Sequence, residues 1–446
     1  MNVLTLHRFC STSRRALGAM TATMLCFLCC ANANAQRDSF EGPPINYLTA
    51  PANDPVTQLA AKVEAGEVKL RYDLQHGYLK SVLEALDVPI SSQTLVFSKT
   101  SLQLRRISTQ RPRALYFNDD VYVGWCQRGD VIEFAATDAK QGAMFYTLGQ
   151  TQDGSPKFVR DRGQCLTCHA SSRTQNVPGY LVRSVFADSG GQPIFGSGTF
   201  NTDQTSPFDQ RWGGWYVTGT HGEMRHMGNI TYEEGDTDGD REAGANRESL
   251  EGIVSTTPYL SRHSDLVALM VLEHQTQMHN AIAAANYETR EAVHQSYQMN
   301  EFLERAPDYL SDSAQRRIAA AADRVVHHML MCDEFALTSP VAGTSRFAEE
   351  FAARGIRDAE MRSLRDLDLN TRLFRYPCSY LIYSDAFDGL PEQVRNKIID
   401  RLTAILENRA DAPEFAHLTP TMRSEILAIL RQTKPEFADN KETNSL

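Results

Sequence analysis

Positive charge is in short supply in this chain of 446 residues: 45 Lys and Arg stand against 55 Asp and Glu, a formal net charge of −10. A surface able to track nucleic-acid phosphates is excluded by that balance, so nucleic acid is not an expected partner. Long apolar runs are also missing. The one marked stretch, Ala16 to Cys30, is too short to span a bilayer, and no integral membrane span is expected after it. No Gly-rich phosphate loop and no G-x-S-x-G elbow occurs, which removes the commonest nucleotide-binding and serine-hydrolase designs. No segment repeats at a fixed period, so solenoids and propellers are excluded too.

Cysteine is sparse, and its placement is informative. Four of the nine, Cys10, Cys26, Cys29 and Cys30, fall within residues 1–35. That stretch reads as a cleaved secretory signal: His7, Arg8, Arg14 and Arg15 form a basic start, an apolar stretch follows, and Ala33-Asn34-Ala35 supplies small residues before Gln36. Arg14-Arg15 is open to a twin-arginine reading, although a plain basic start accounts for it. Phe27-Leu28 ahead of Cys29 lacks the small residues of a lipoprotein site, so a soluble exported product is expected. Removing the signal takes away three basic and no acidic residues, leaving −13. Such a surface suits a basic partner protein.

Two of the remaining five cysteines make Cys165-Leu166-Thr167-Cys168-His169. Two thiols at this spacing can each form a thioether to a vinyl group of one porphyrin, and the adjacent His then lies beneath the iron as proximal ligand. The competing reading is a C-x-x-C redox pair that happens to precede a His. Export to the periplasm favours the first, since haem c is attached after export in bacteria. The segment resembles the c-type cytochromes, and the resemblance implies one covalent haem c held by Cys165 and Cys168, with His169 as the metal ligand. Cys332 and Cys378 are open to a disulfide that would leave Cys126 odd, or all three are buried free thiols.

Composition divides the chain into 1–35, the signal; 36–113, an arm with two short helices; 114–248, a β-rich stretch carrying the haem motif; and 249–446, a helical stretch. Asp54-Pro55 is a cap and first-turn pair for a helix ending near Gly66, and Gly77 to Leu86 forms a second. Strands are expected at Ala114–Phe117, Val121–Trp125, Val131–Phe134, Ala143–Leu148, Tyr180–Phe186 and Gly214–Gly219, with Asn118-Asp119-Asp120 turning the first pair into a hairpin. Helical periodicity runs over Ser264–Gln295, Ser313–Ala336, Pro391–Asn408 and Thr419–Thr433. The expected fold class is α+β, a β-rich haem-bearing half packed with a mostly helical half.

What closes the other face of the iron separates electron transfer from catalysis. His221, Met224, His226 and Met227 form one cluster, 52 to 58 residues after the proximal His. Of these, His226 and Met227 are the expected cofactor-binding residues. Their competing reading is ordinary interior or turn residues of a β-hairpin. On the helix, His274 and Met278 lie one turn apart on the apolar side while His279 points elsewhere. A histidine there is more often a core residue hydrogen-bonded to a neighbour than a ligand. Asp236, Asp238 and Asp240 begin like a calcium loop, but Arg241 and Arg247 stand where Gly and a bidentate Glu are required. Arg160, Arg162, Arg173 and Arg183 flank the motif and are candidates to pair with haem propionates.

Beyond the motif, the runs Arg211 to Gly222, Leu272 to Asn280 and Tyr376 to Ser384 look like those of a bacterial family of exported single-haem proteins described only as cytochrome c-like. That resemblance implies haem binding and electron transfer with a redox partner, and carries no substrate. Dihaem peroxidases are similar in size and compartment but need a second C-x-x-C-H, which is absent. Two further readings stand beside electron transfer. One is an oxidoreductase with an open distal site, in which His221, His226 or His274 gives a proton to peroxide or a small nitrogen or oxygen species. The other is a haem sensor or structural subunit whose helical half docks a partner.

Overall fold

Asp54 and Pro55 open the first helix as their order requires: the Asp54 carboxylate accepts from the amides of Val56 and Thr57 at 2.9 and 3.1 Å, and α1 runs Pro55–Glu64. The structure, a computed structural model, describes residues 40–152, 155–409 and 413–438. The expected export signal lies outside the described residues. The chain divides into two units, Met1–Ala50 and Pro51–Leu446. In the first, the described residues form turns in which the Tyr47 amide donates to the Phe40 carbonyl at 2.9 Å and the two rings meet edge to face.

The second unit is α+β. Its sheet has seven antiparallel strands in the order β6-β5-β4-β3-β2-β1-β9, namely β1 Thr94–Val96, β2 Arg113–Phe117, β3 Val121–Trp125, β4 Val131–Asp138, β5 Gly142–Gly149, β6 Phe158–Arg160 and β9 Trp215–Tyr216. The expected hairpin forms, with Phe117 opposite Tyr122. Asn118 makes the turn by accepting the amides of Asp120 and Val121. Strand β1 lies in the stretch read as an arm, because three residues are too few to show a two-residue period. The expected strand Tyr180–Phe186 shortens to β7, Arg183–Val185, and pairs with β8, Thr199–Asn201, as a separate hairpin. Gly214–Gly219 stops short as well. The Val217 amide donates to the Asn229 side chain and the Thr218 amide to the Ser264 carbonyl, so neither can extend the ladder.

Further helices include α2 Leu79–Ala85, α3 Leu166–His169, α4 Arg241–Gly244, α5 Leu266–Phe302, α6 Asp312–Met329, α7 Glu392–Leu406 and α8 Pro420–Thr433; two short ones, Phe347–Ala353 and Asp385–Asp388, lie between α6 and α7. Helix α5 is the centre of this unit. Its 37 residues contain no Gly or Pro, and everything from Leu266 to Tyr287 is buried. Sequence periodicity predicts an apolar face and a polar one, with His279 outside the apolar face. In the fold the strand layer, α6, α7 and the loops enclose both, so His279 is buried along with His274. Burial puts a premium on partners for the polar side chains of this segment, and Glu273, His274, Gln275, His279 and Asn280 each have at least one.

Asp265 starts α5. Its Oδ1 accepts from the Val267 and Ala268 amides, while Oδ2 accepts from the Thr344 and Ser345 amides and the Ser345 hydroxyl. Asp265→Ala removes the cap and strands three further donors, and is expected to cost about 2–4 kcal/mol in urea unfolding. Asp265→Asn, which keeps Oδ1, is expected to lose clearly less; equal losses would assign the effect to packing alone.

Among the described residues no helix is long and apolar enough to cross a membrane. Cys126, Cys332 and Cys378 are all buried free thiols, and burial pushes each up to about 12.

Candidate functional site

Strand β5 returns through β6 into a tight turn at Asp161. Its carboxylate accepts from the Gly163 amide at 2.9 Å and the Cys165 amide at 3.0 Å, and Gly163 adopts a positive φ of 118° that favours glycine. The chain then makes the single turn of α3, with the amides of Cys168 and His169 both bonded to the Cys165 carbonyl. Positions i, i+3 and i+4 of a helical turn share a face, so Cys165, Cys168 and His169 are presented together. The C-x-x-C-H spacing therefore has a direct geometric result.

Helix α3 ends at once, and the loop from Ser171 folds back through a capping box between Ser171 and Thr174. It returns at Gly179, whose amide donates to the His169 carbonyl at 2.8 Å. The Gly179 carbonyl in turn accepts from Nδ1 of His169 at 2.9 Å. With the proton placed on Nδ1, the Nε2 lone pair is left for a metal, the arrangement usual for metal-binding imidazoles. Burial lowers the His169 pKa, which favours this neutral, ligating form. The ring rests against Phe145, centroids 4.9 Å apart.

The two thiols differ. Cys168 is exposed, whereas Cys165 is half-buried at the edge of the core. Burial, and then the Asp161 carboxylate, push the Cys165 thiol up to about 12. A redox-active C-x-x-C needs a thiol with a lowered pKa, so this environment argues against the disulfide-exchange reading.

The expected arginines divide. Arg162 and Arg173 are exposed. Arg183 feels both Cys168 and Arg173, donates through Nη2 to the Thr199 hydroxyl at 3.2 Å, and buries an Nε with no partner. A guanidinium with an unpaired nitrogen, within electrostatic reach of Cys168, suits an anionic group carried on the thiols. Together with a pair of thiols on one helical face and a free imidazole Nε2, it makes a donor set that fits haem c.

The 221–227 cluster has partners of its own. His221 donates Nδ1–H to the Met224 carbonyl at 2.7 Å and accepts the Asn246 amide on Nε2 at 3.0 Å. His226 accepts the Gly228 amide on Nδ1 at 3.0 Å and packs against Trp212 and His221, and burial holds its pKa well below the usual imidazole value. Met227 is fully buried and takes the Ser184 hydroxyl on sulfur at 3.5 Å. Ser184 neighbours Arg183 on β7, and successive strand residues point to opposite faces. Met227 therefore lies across the strand from the Arg183 side chain. Among the described residues, no hydrogen bond or ring contact joins His226 or Met227 to Cys165–His169.

The buried stretch of α5 draws together the runs singled out in the sequence. Glu273 pairs with Arg211 at 3.0 Å, both buried. His274 shares a hydrogen bond with the Ser379 hydroxyl at 2.8 Å, and Gln275 joins the Tyr122 and Tyr380 hydroxyls. His279 donates to the Asp119 carbonyl at 2.8 Å, and Asn280 clasps the backbone of Tyr180. Met278 is core. In the acidic loop, Asp236 accepts the Asp238 and Gly239 amides, Asp240 caps α4 and Glu242 pairs with Arg225, so these oxygens serve the loop itself. Among the described residues no group of three or more His, Cys, Asp or Glu is placed to hold a metal ion.

Three positioning residues escaped sequence reasoning: Asp161, Gly179 and Asn280. Only Asn280 left a signal, as the last residue of the polar stretch Glu273 to Asn280 within a helical run. Comparison with protein families, curated proteins and solved structures finds no match for this chain.

Proposed function

We propose that the chain is a periplasmic c-type cytochrome-like protein that carries one covalent haem and transfers electrons to or from a partner protein. The observation that carries this reading is the His169 side chain itself, on the same helical face as two thiols, with Nδ1 committed to the Gly179 carbonyl. Cys165 and Cys168 would hold the group through sulfur, His169 would bind its iron through Nε2, and Arg183 would meet its acidic edge. The bound group supplies one-electron chemistry. The polypeptide's part is to keep His169 neutral, oriented and backed by Phe145, and to offer an acidic surface to a basic partner.

The second reading, an oxidoreductase with an open distal position, is favoured by the internal hydrogen bonds of His221, His226 and Met227, which already engage the side chains expected to close that position.

The test is the exported protein after acid–acetone extraction, with mass analysis. Retained colour and one added macrocycle are expected for the wild type, with complete loss of covalent attachment in Cys165→Ala with Cys168→Ala. A colourless wild-type chain of unmodified mass defeats the proposal. Low-spin spectra indifferent to carbon monoxide or cyanide select the electron carrier, whereas rapid ligand binding selects the open site.

A further inference from the structure

We infer that Asn280, far from the motif in sequence, is the positioning residue that sets the orientation and proton of His169; the inference rests on the haem reading above. The Gly179 carbonyl that accepts His169 Nδ1–H and the Tyr180 amide belong to one peptide unit. Asn280 Oδ1 accepts that Tyr180 amide at 2.8 Å, and Asn280 Nδ2 donates to the Tyr180 carbonyl at 2.9 Å. The result is a continuous relay: Asn280 Oδ1, the Gly179–Tyr180 peptide, then the imidazole.

A peptide whose N–H is hydrogen-bonded presents a better carbonyl acceptor, because bonds in series polarise one another. Asn280 is fully buried on the rigid middle of α5, so the peptide plane is fixed by the core and not by the surface loop 171–178. Gly179 is required for the approach, since a Cβ there would stand 2.4 Å from Asn280 Oδ1. Supporting shells of this kind raise the basicity of a ligating histidine and fix its tautomer.

Asn286 supplies the control. It is a buried asparagine on the same helix that donates its side-chain amide to backbone carbonyls of Ala139 and Gly389, with no link to His169. In the haem-loaded protein, Asn280→Ala is expected to shift the reduction potential upward and to make displacement of His169 by added imidazole about 10-fold easier. Asn286→Ala should move neither.

In the unloaded chain, 15N shifts of His169 should show the proton on Nδ1 in the wild type and in Asn280→Asp, which keeps the acceptor oxygen, but mixed tautomers in Asn280→Ala. If Asn280→Ala does not fold, the potential and tautomer of Asn280→Ser, too short to reach the peptide, serve in its place. Asn280 variants that match Asn286→Ala in every readout overturn the inference. A wild-type chain without covalent haem defeats the preceding proposal instead, and the 15N measurement then still decides whether Asn280 sets the tautomer.

Discussion

Arg211→Met is expected to destabilise the fold by about 3–5 kcal/mol at pH 8, the usual result of leaving one member of a buried ion pair alone. Arg211 donates to Glu273 at 3.0 Å and to the carbonyls of Gln204 and Ser206, and both charged side chains are buried. Burial raises the Glu273 carboxyl to about 7 even with Arg211 opposing it, so its ionised form depends on the guanidinium. Without Arg211 the carboxyl takes a proton, and at pH 5, where it is already protonated, the loss should be clearly smaller. Combining Arg211→Met with Glu273→Gln should recover much of the stability at pH 8, because no orphaned charge remains. Urea unfolding of the three variants at both pH values measures this. A loss of the same size at pH 5 and pH 8 would locate the effect in the carbonyl contacts of Arg211 and not in the pair.

Acidification from pH 6.5 to 4.5 is expected to produce the second large loss. His169, His221, His226, His274, His279 and His328 all have pKa values lowered by burial, His274 to about 3 and His279 to about 4. Each is protonated in the unfolded chain below the ordinary value of 6.5 and neutral in the folded one, so the stability it contributes falls as pH drops from 6.5 towards its folded value. Four carboxyls work in the opposite direction, Glu291 among them, raised by burial. Asp120, Glu273 and Glu334 are raised by burial to about 7, hold protons in the folded state between roughly pH 4.5 and 7, and favour it more as pH falls through that window.

The lowered histidines outnumber the raised carboxyls, six against four, so unfolding takes up protons on balance and stability falls as pH drops from 6.5. Maximum stability should therefore lie close to neutrality. The urea midpoint between pH 4.5 and 7 tests this, and a midpoint that stays level or rises on acidification refutes it. His274→Gln should flatten the slope by one proton.

Much of the local structure was legible. Asp54-Pro55 marks a helix start because a side-chain oxygen next to a helical run satisfies its first amides, and apolar periodicity placed two other starts, at Ser264 and Thr419, within two residues of Leu266 and Pro420. Strand β3 matched its expected limits, because Asn118-Asp119-Asp120 and the aromatic alternation after it act over a few residues. What failed to show was anything set by distant partners. Strand β1 is three residues long and exists through its pairing with β2 and β9. The break after Tyr216 comes from Asn229 and Ser264, neither of them near in sequence.

The candidate site divides along the same line. Sequence alone determined that Cys165, Cys168 and His169 share one face, since a three- and four-residue spacing imposes this on any helical turn. It also determined the α+β class, through the change from a two-residue to a 3.6-residue apolar period near residue 249. Tertiary structure alone decided which nitrogen of His169 carries the proton, that Asn280 lies behind it, and that His226 and Met227 have partners of their own. The physical reason is range: capping, turns and periodicity act across about one helical turn, whereas 100 residues separate Tyr180 from Asn280, and only packing the whole core closes that distance.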